Sequence, residues 1–328
     1  KAQIGILMKN ELTFAQLSDP HLSSLEDVQW RDLASKRLLG YLSWRKRRRA
    51  EHRSEILESM QRDLQQTAPE HLVITGDLTH IGLPDEFRQV RVWLESLGAP
   101  GDVTVIPGNH DAYVEVTWEN SFAHWQPWMV PDEMPAANGQ TPFSEAIFPS
   151  LRIRGPVAFI GLSSARPSAP FLATGRIGAH QLERLGEILE STGRQGLFRV
   201  VMLHHPPVPG EEKWRKRLTD ADSFCKVIAG NGAELVLHGH RHRAVQSRIE
   251  IPGTHVPVFG IPSASSSGHQ PGRAAQYYLY RVVRSANVWE LNVAVLGYSA
   301  EQDRFSRVEE AHMEIPFVTP CSNPGRLG

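Results

Sequence analysis

The chain has 328 residues with 35 Lys and Arg against 36 Asp and Glu, which gives a formal net charge of −1. This balance excludes a chain-wide electrostatic attraction to nucleic acid or to an anionic membrane, but it is compatible with a local basic patch. Two cysteines are too few for a disulfide framework or a thiolate metal site, so a metal would need nitrogen and oxygen ligands. Length and composition predict one large α/β domain with appended pieces.

The ends of the chain carry no recognisable targeting signal. The first residues lack the apolar segment and cleavage site of a secretory signal, and no later stretch reaches the roughly 18 apolar residues of a membrane span. Met8 is a candidate native start, and we interpret residues 1–11 as an N-terminal tail that includes a tag remnant. Residues 319–328 are expected to be an irregular C-terminal tail, with the domain over 12–318. A soluble, cytoplasmic protein is predicted.

Six short, apolar and β-branched runs predict buried strands. Each run ends in a loop rich in polar residues, and chemistry is expected at the carboxyl ends of such strands. The runs are 12–18, 71–75, 103–106, 157–162, 198–204 and 233–239.

Helices are predicted between these strands, and more strands follow them. Residues 84–98 open with Pro and acids, show apolar residues at helical spacing and close on a glycine, and 178–192 repeat the pattern. Alternating runs then predict consecutive antiparallel strands. They are 244–251, 255–260, 275–283 and 288–296.

Carboxylates, an amide and imidazoles follow the predicted strands at the same relative position. The segments are SDPHL with Asp19 and His21, TGDLTH with Asp77, PGNHD with Asn109, His110 and Asp111, LHHPP with His204 and His205, and HGHRH with His240 and His242. Hard oxygen ligands and borderline imidazoles suit a pair of divalent cations that share one carboxylate. The glycines Gly76, Gly108 and Gly239 precede candidate ligands, where a strand must turn sharply and its backbone must approach an ion.

Each motif alone also has a purely structural interpretation. DPH and GNHD are typical of Asx turns, whereas two histidines two residues apart after a strand point to the same side and favour metal binding. All the motifs occur in order and each follows a strand. This combination favours one shared metal site over a set of unrelated turns.

The motifs DPH, GD, GNHD, HH and GHRH, spread over residues 12–243, resemble those of the calcineurin-like metallophosphoesterases. The segments LSDPHL, GDLTHIGLPDEF, VTVIPGNHD and LHHPPVP are similar to the bacterial class III cyclic-nucleotide phosphodiesterase-like branch. The resemblance implies an α/β (α+β) protein with a four-layer αββα sandwich, the metallo-dependent phosphatase fold.

The resemblance also implies how the ligands divide between two divalent cations, which these N/O ligands would allow to be Mn, Fe, Zn or Co. It places Asp19, His21, Asp77 and His242 on the first metal, and Asp77, Asn109, His204 and His240 on the second. Asp77 therefore bridges the two. His204 is taken as the ligand rather than His205 because the family's ligand is followed by one residue and then proline.

A mechanism follows from the charges of such a site. Two cations that share one water lower its pKa towards neutrality, and the resulting bridging hydroxide attacks phosphorus in line with the leaving oxygen. His110 is expected to face the substrate and assist the leaving group, with Asp111 orienting and charging it. His205 is a candidate for substrate contact or for support behind the ligands. We interpret His238 as a packed neighbour and His80 as a surface histidine.

Residues 25–60 depart from the resemblance as a basic, cap-like helical insertion. Nine Lys and Arg occur from Trp30 to Arg53, beside an apolar stripe at helical spacing. The stripe comprises Trp30, Leu33, Ala34, Leu38, Tyr41 and Leu42. The insertion is open to three interpretations: a solvated amphipathic helix, a cap near the active site, or a contact of residues 30–53 with an anionic membrane. The candidate substrate-binding residues in it are Arg45, Lys46 and Arg47.

These features predict a dinuclear metal-dependent phosphohydrolase, most specifically a phosphodiesterase acting on a small molecule. The alternative is a pyrophosphatase, peripheral at the inner membrane, that acts on a lipid-linked substrate such as UDP-2,3-diacylglucosamine. A nuclease that uses the basic run 45–49 is a weaker alternative, because the rest of the chain is not basic. A non-catalytic metal-binding interaction module is also weaker, because it would not need His110 and Asp111 beside the metals. No oligomeric state is predicted.

Overall fold

The structure is a computed structural model that describes residues 9–133, 147–269 and 271–318. Most of the predicted N-terminal tail and the whole predicted tail 319–328 therefore lie outside the described residues. The six predicted buried strands and the two predicted helices are all present, with bounds that differ by at most two residues.

The described residues form twelve strands and seven α-helices, besides short 3₁₀ and π-helical turns. The strands are β1 Glu11–Leu17, β2 His71–Ile74, β3 Val103–Val105, β4 Ser150–Arg154, β5 Val157–Gly161, β6 Phe198–Met202, β7 Leu235–His238, β8 Val245–Ile251, β9 Thr254–Gly260, β10 Gln276–Arg284, β11 Val288–Ser299 and β12 Arg304–Pro316. The helices are α1 Arg37–Ser43, α2 Arg49–Glu51, α3 Ser54–Thr67, α4 Pro84–Leu97, α5 Gln126–Met129, α6 Ala179–Arg194 and α7 Ala221–Asn231.

The strands divide equally between two sheets. The first has the order β12-β11-β10-β1-β2-β3 and the second has the order β4-β5-β6-β7-β9-β8. The four strands predicted after residue 243 are present and form two antiparallel pairs, β8 with β9 and β10 with β11, but the prediction that they run consecutively in one series is wrong. β8 and β9 extend the second sheet, because β9 pairs in parallel with β7, whereas β10 crosses to pair antiparallel with β1 in the first sheet.

The two sheets pack face to face, and helices cover their outer faces. The Phe14 ring of β1 lies 5.0 Å from the Phe159 ring of β5, so the inner faces of the two sheets are in direct contact. The next residue of β5, Ile160, points the other way and packs with α6 and α7, as strand alternation requires. Apolar residues of α3 and α4 are buried in the core of the first sheet. This is the predicted four-layer αββα sandwich.

Among the described strands and α-helices, four escaped sequence prediction: β4, α5, α7 and β12. β12 runs along the open side of β11, and most of its residues are exposed or charged, so it lacks the apolar signature of a strand. α7 is short, and the glycine near its end weakens the helical pattern.

The insertion does not form the predicted apolar stripe. Its 3₁₀ turn Trp30–Leu33 and the π-helical turn Trp44–Arg48 flank α1, and neither has the 3.6-residue period of an α-helix. Leu33 and Trp44 consequently pack inward, whereas Trp30 is 74% exposed. In the described part of the chain, no helix is long and apolar enough to cross a membrane.

Candidate metal centre

Two groups of Asp and His side chains converge at the carboxyl ends of the central strands. The first contains Asp19, His21, Asp77 and His242, and the second contains Asp77, His204 and His240. Within each group the possible ligand atoms lie within 4.8 Å of one another. Asp77 belongs to both groups, and the amide oxygen of Asn109 lies 3.2 Å from His204 Nε2 beside the second. The fold thus brings together all seven residues that the sequence singled out as ligands.

Five of these residues have a left-handed backbone conformation. Their φ angles are 49° for Asp19, 42° for His21, 57° for Asp77, 71° for His240 and 50° for His242. Non-glycine residues adopt this conformation rarely, at a cost of order 1–3 kcal/mol each. The conformation reverses the chain immediately after a strand, so the side chain points across the strand ends towards the site.

Two glycines allow the turns to approach each other. A Cβ on Gly108 would collide with the Asp77 carboxylate, and a Cβ on Gly239 would collide with the side chains of Ser18 and Asp19. The absence of a side chain at both positions therefore sets the spacing between the ligand-bearing turns.

Hydrogen bonds to backbone carbonyls orient two of the imidazoles. Nδ1 of His21 bonds to the Thr79 carbonyl at 2.8 Å, and Nδ1 of His204 bonds to the Thr75 carbonyl at 2.7 Å. Each bond leaves Nε2 facing the site, where His204 Nε2 lies 3.2 Å from Asp77 Oδ2. This is the arrangement by which proteins fix the tautomer and direction of a metal-binding histidine.

The donor atoms fit a pair of divalent cations. Asp19 Oδ1 is buried, takes no hydrogen bond from the described residues and lies 3.1 Å from His242 Nε2. His204 Nε2 and His240 Nδ1 face each other at 3.3 Å. Facing imidazole nitrogens and buried carboxylate oxygens at such distances are the donors that a borderline divalent cation takes.

The pKa values of the Asp and His side chains show that the ligand groups favour a positive charge between them. Burial opposes ionisation of Asp19, but the imidazoles of His242 and His204 outweigh it and lower the pKa of Asp19 to about 2. Burial likewise opposes protonation of His204, yet the carboxylates of Asp77 and Asp19 raise its pKa to about 9. Burial lowers the pKa of His21 and of His240 well below the ordinary value, which keeps both in the neutral form that binds metals.

Asp111 does not pair with His110, and that prediction is wrong. Its buried carboxylate accepts hydrogen bonds from the backbone N–H groups of Thr79 and Gly108, both at 2.8 Å, and from the Thr79 hydroxyl at 3.0 Å. It lies close to Asp77, and burial together with that charge raises the pKa of Asp111 to about 7. Asp111 therefore ties together the two turns that carry Asp77 and Asn109.

His110 is held by other groups. Its Nδ1 lies 2.5 Å from the His80 carbonyl and 3.1 Å from the Arg48 guanidinium, and the shorter contact makes Nδ1 the protonated nitrogen. Burial and the Arg48 charge lower the pKa of His110 well below its ordinary value. The prediction of a surface position for His80 is wrong, because its ring is buried and stacks on that of His21 at 5.0 Å.

Two further histidines are packed inside the protein. Both ring nitrogens of His205 face protein oxygens, at 2.8 Å from the Ser164 hydroxyl and 3.2 Å from the Ala173 carbonyl. His205 is fully buried, so it supports the ligands from behind and does not reach a substrate, which corrects one of its two predicted roles. His238 is also fully buried, as predicted.

A cavity of about 360 Å³ opens over the ligand groups and receives side chains from the insertion. Arg47, Arg48, Glu51 and His52 line it, whereas Arg45 and Lys46 are exposed and lie outside its described lining. Of the three predicted substrate-binding residues in the basic run, only Arg47 therefore lines the cavity, because the π-helical turn Trp44–Arg48 directs only its later residues into it. His52 was not predicted, and Arg48 was considered only as part of the basic run 45–49 in the nuclease alternative.

Other cations around this cavity were also missed. They come from a segment after β6, from the turn after β7 and from the loop before β10, and they are Lys213, Lys216, Arg241, Arg243 and Arg273. Because these Lys and Arg residues lie singly in separate loops, no sequence pattern predicts that they line one cavity. The result is a cationic cavity suited to an anionic substrate.

A four-layer sandwich with a shared carboxylate at its strand ends defines the metallo-dependent phosphatase class. The sequence model described as Calcineurin-like phosphoesterase matches residues 12–244, and the chain belongs to that family. The predicted family and the predicted phosphoester-hydrolase class of enzyme are thereby confirmed.

Two proteins with similar sequences and one solved structure with a similar fold are consistent with membership of this family. The chain is 32% identical over 213 residues to a probable cyclic nucleotide phosphodiesterase from Synechococcus sp., covering 64% of this chain and 70% of the relative. It is 28% identical over 204 residues to a cAMP/cGMP dual specificity phosphodiesterase from Mycobacterium tuberculosis, covering 61% of this chain and 54% of the relative. A dimetal phosphatase from Danio rerio has the same fold, with a TM-score of 0.58 over 94% of this chain and 99% of its own at 14% identity.

Proposed function

We propose that this protein hydrolyses phosphodiesters at a site that holds two divalent cations. The observation that carries the proposal is the overlap of the two ligand groups at Asp77, at the base of the cationic cavity. The volume of this cavity, about 360 Å³, falls in the range of small-molecule sites, roughly 300–1,000 Å³. The phosphodiesterase names of the two relatives support a diester as the substrate.

The residues around the reacting phosphate are proposed to have separate roles in metal binding, in phosphate binding and in attraction of the substrate. When bound, the cations supply Lewis acidity and an activated water for in-line attack on phosphorus. Arg48, half-buried and directed at His110, offers its guanidinium to the phosphoryl oxygens. The bases after β6 and β7 attract the anion into the cavity.

His110 is proposed to assist the departing oxygen. In the free protein its pKa is lowered by burial and by Arg48, so the ring is neutral there. A bound phosphoryl anion would offset the Arg48 charge and favour the imidazolium, whose Nε2–H could then be donated to the leaving group. The bond from Nδ1 to the His80 carbonyl keeps the ring in the required orientation.

A substrate comparison tests the function. The purified protein loaded with Mn²⁺ should hydrolyse bis-p-nitrophenyl phosphate and cyclic nucleotides faster than p-nitrophenyl phosphate, and a chelator should abolish all three activities. Faster turnover of the monoester than of every diester in the panel would contradict the proposal. The same panel should include glycerophosphodiesters and a nucleotide-sugar lipid.

A second candidate function is hydrolysis of a lipid-linked pyrophosphate at an anionic membrane. Exposed apolar side chains on the insertion favour it: Trp30 at 74%, Leu38 at 39% and Leu42 at 49%. The exposed bases Arg45 and Lys46 follow directly in sequence. Interfacial segments combine these two features.

Two other segments carry exposed apolar side chains and are tied to the insertion or to each other by hydrogen bonds. Lys36, which precedes α1, bonds through Nζ to the Ser168 and Leu172 carbonyls, which places the 78% exposed Phe171 beside the insertion. The N–H of Ala173 bonds to the Arg215 carbonyl, next to the 63% exposed Trp214. Trp214 follows Lys213, which lines the cavity, so a membrane that contacts Trp214 would lie beside the cavity.

Sedimentation with vesicles of anionic lipid tests this candidate. At low salt we expect the wild-type protein to pellet, and we expect release when Arg45, Lys46 and Arg47 are all changed to Gln or when Trp30 and Leu42 are changed to Ser. Substitution of exposed Val92 by Ser, on α4, is the control. Absence of pelleting at any salt concentration would remove the candidate and leave the phosphodiesterase proposal intact.

A further inference from the structure

We propose that His52, which directly follows α2 in the insertion, is an additional ligand at the first metal position. The proposal rests on the metal-dependent function proposed above. It assigns a catalytic-site role to a segment that interrupts the family's pattern and whose sequence does not mark His52 as a candidate.

His52 lies against two of the ligand histidines. One ring nitrogen each from His21, His52 and His242 lie within 4.8 Å of one another, and this group shares two of its three members with the first ligand group. The His52 ring centroid is 4.5 Å from that of His21 and 5.6 Å from that of His242. A cation held between His21 and His242 therefore has a third imidazole beside it.

Contacts with a distant loop fix the direction of the His52 ring. Nδ1 lies 2.7 Å from the Ser265 hydroxyl, and the N–H of Arg53 bonds to the Ser265 carbonyl at 3.0 Å. These contacts leave Nε2 as the nitrogen available to a cation. His21 and His204 are arranged in the same way, with Nδ1 bonded to a protein oxygen and Nε2 directed into the site.

The helical turn before His52 explains how an insertion can reach the metals. The N–H of His52 bonds to the Arg48 carbonyl at 2.9 Å, so the two residues lie one turn apart. Arg48 contacts His110 and His52 contacts His21, and both side chains line the cavity. One face of the insertion therefore contributes a charge for the phosphate and an imidazole for the metal.

Titration of the metal-stripped protein with Mn²⁺ and Co²⁺ tests this assignment directly. Isothermal titration calorimetry of the wild type should resolve two sites. His52→Ala should weaken one of them by about ten- to a hundredfold and leave the other unchanged. Ser265→Ala, which keeps the imidazole but frees its Nδ1, should weaken the same site to a smaller extent.

His312→Ala is the control for the loss of an imidazole. His312 is exposed on β12 and is in none of the candidate ligand groups, so both cation affinities should be retained. Equal affinities at both sites in the wild type and in His52→Ala would overturn the proposal. Because the readout needs no substrate, a protein that binds cations as expected but hydrolyses no diester would refute the proposed function and not the His52 assignment.

Discussion

At the scale of single residues, Asp77 connects the two ligand groups. It lies 3.2 Å from His204 and belongs to the first group with His21 and His242. If two cations share Asp77, a neutral amide in its place would remove a negative charge and one of the two carboxylate oxygens.

We therefore predict that Asp77→Asn lowers diester hydrolysis by at least about a hundredfold and leaves fewer than two metals per chain. Metal content is measured by elemental analysis after dialysis. Glu212→Gln is the matched control, because this carboxylate lines the same cavity but lies outside both ligand groups. Retention of two tightly bound metals in Asp77→Asn would show that Asp77 is not a bridge.

His110 should raise kcat most for substrates whose leaving oxygen must take up a proton as it departs. Loss of a general acid slows departure of a basic alkoxide more than departure of p-nitrophenolate, which leaves readily as an anion. We predict that His110→Ala lowers kcat for a cyclic nucleotide at least about tenfold more than kcat for bis-p-nitrophenyl phosphate. An equal loss for both substrates would assign His110 to charge stabilisation or positioning instead.

At the scale of elements, the start of α4 supports the loop that follows Asp77. The buried Glu86 carboxylate accepts hydrogen bonds from the N–H groups of His80, Ile81 and Leu83, and the same His80 contributes the carbonyl that orients His110. One carboxylate thus couples the helix terminus to the position of a candidate catalytic ring.

Glu86→Gln should consequently destabilise the protein. An amide group facing these donors leaves at least one buried N–H unpaired, and we predict a loss of about 1–3 kcal/mol in the free energy of unfolding, measured with urea. Glu95→Gln on the same helix is the control, since its pair with Arg91 is exposed and worth at most about 0.5 kcal/mol. Equal stability of the two variants would refute this role of Glu86.

At the scale of the whole molecule, His71 lies between the two sheets. Its ring packs on Phe159 at 4.5 Å, and Nε2 lies 2.8 Å from the Thr104 hydroxyl. Burial, with the nearby charges of Arg154 and Arg152, lowers the pKa of His71 from 6.5 to about 3. Between these two values the unfolded chain binds a proton that the folded protein does not, so stability falls as the pH falls from about 6.5 towards 3.

His71→Gln should remove this contribution. The slope of the unfolding free energy against pH should decrease by up to about 1.4 kcal/mol per pH unit between pH 4.5 and 6. Urea unfolding in the presence of a chelator measures the slope without a contribution from metals. His312→Gln, at an exposed position on β12, is the control, and an unchanged slope in His71→Gln would contradict the buried neutral imidazole.

The sequence by itself predicted the central strands and the seven candidate ligands from local pattern, and the αββα class from the resemblance of its motifs to a known family. This succeeded because each ligand lies within a few residues of an apolar strand, so local pattern and spacing carry the information. The carboxyl ends of parallel strands meet at one edge, and residues far apart in the chain, such as Asp19 and His242, are thereby brought together.

Only the tertiary structure decided the partners of these residues. Asp111 follows His110 directly but bonds to Thr79 and Gly108, and His52 reaches His21 only through a π-helical turn and the distant Ser265. The local sequence likewise does not predict that β8 and β9 join one sheet and that β10, β11 and β12 join the other. The partner of a hydrogen-bonding side chain and the neighbour of a strand depend on which segments meet in space. The folded arrangement leaves few buried polar groups unpaired in the molecule as a whole, and a short stretch of sequence does not carry that information.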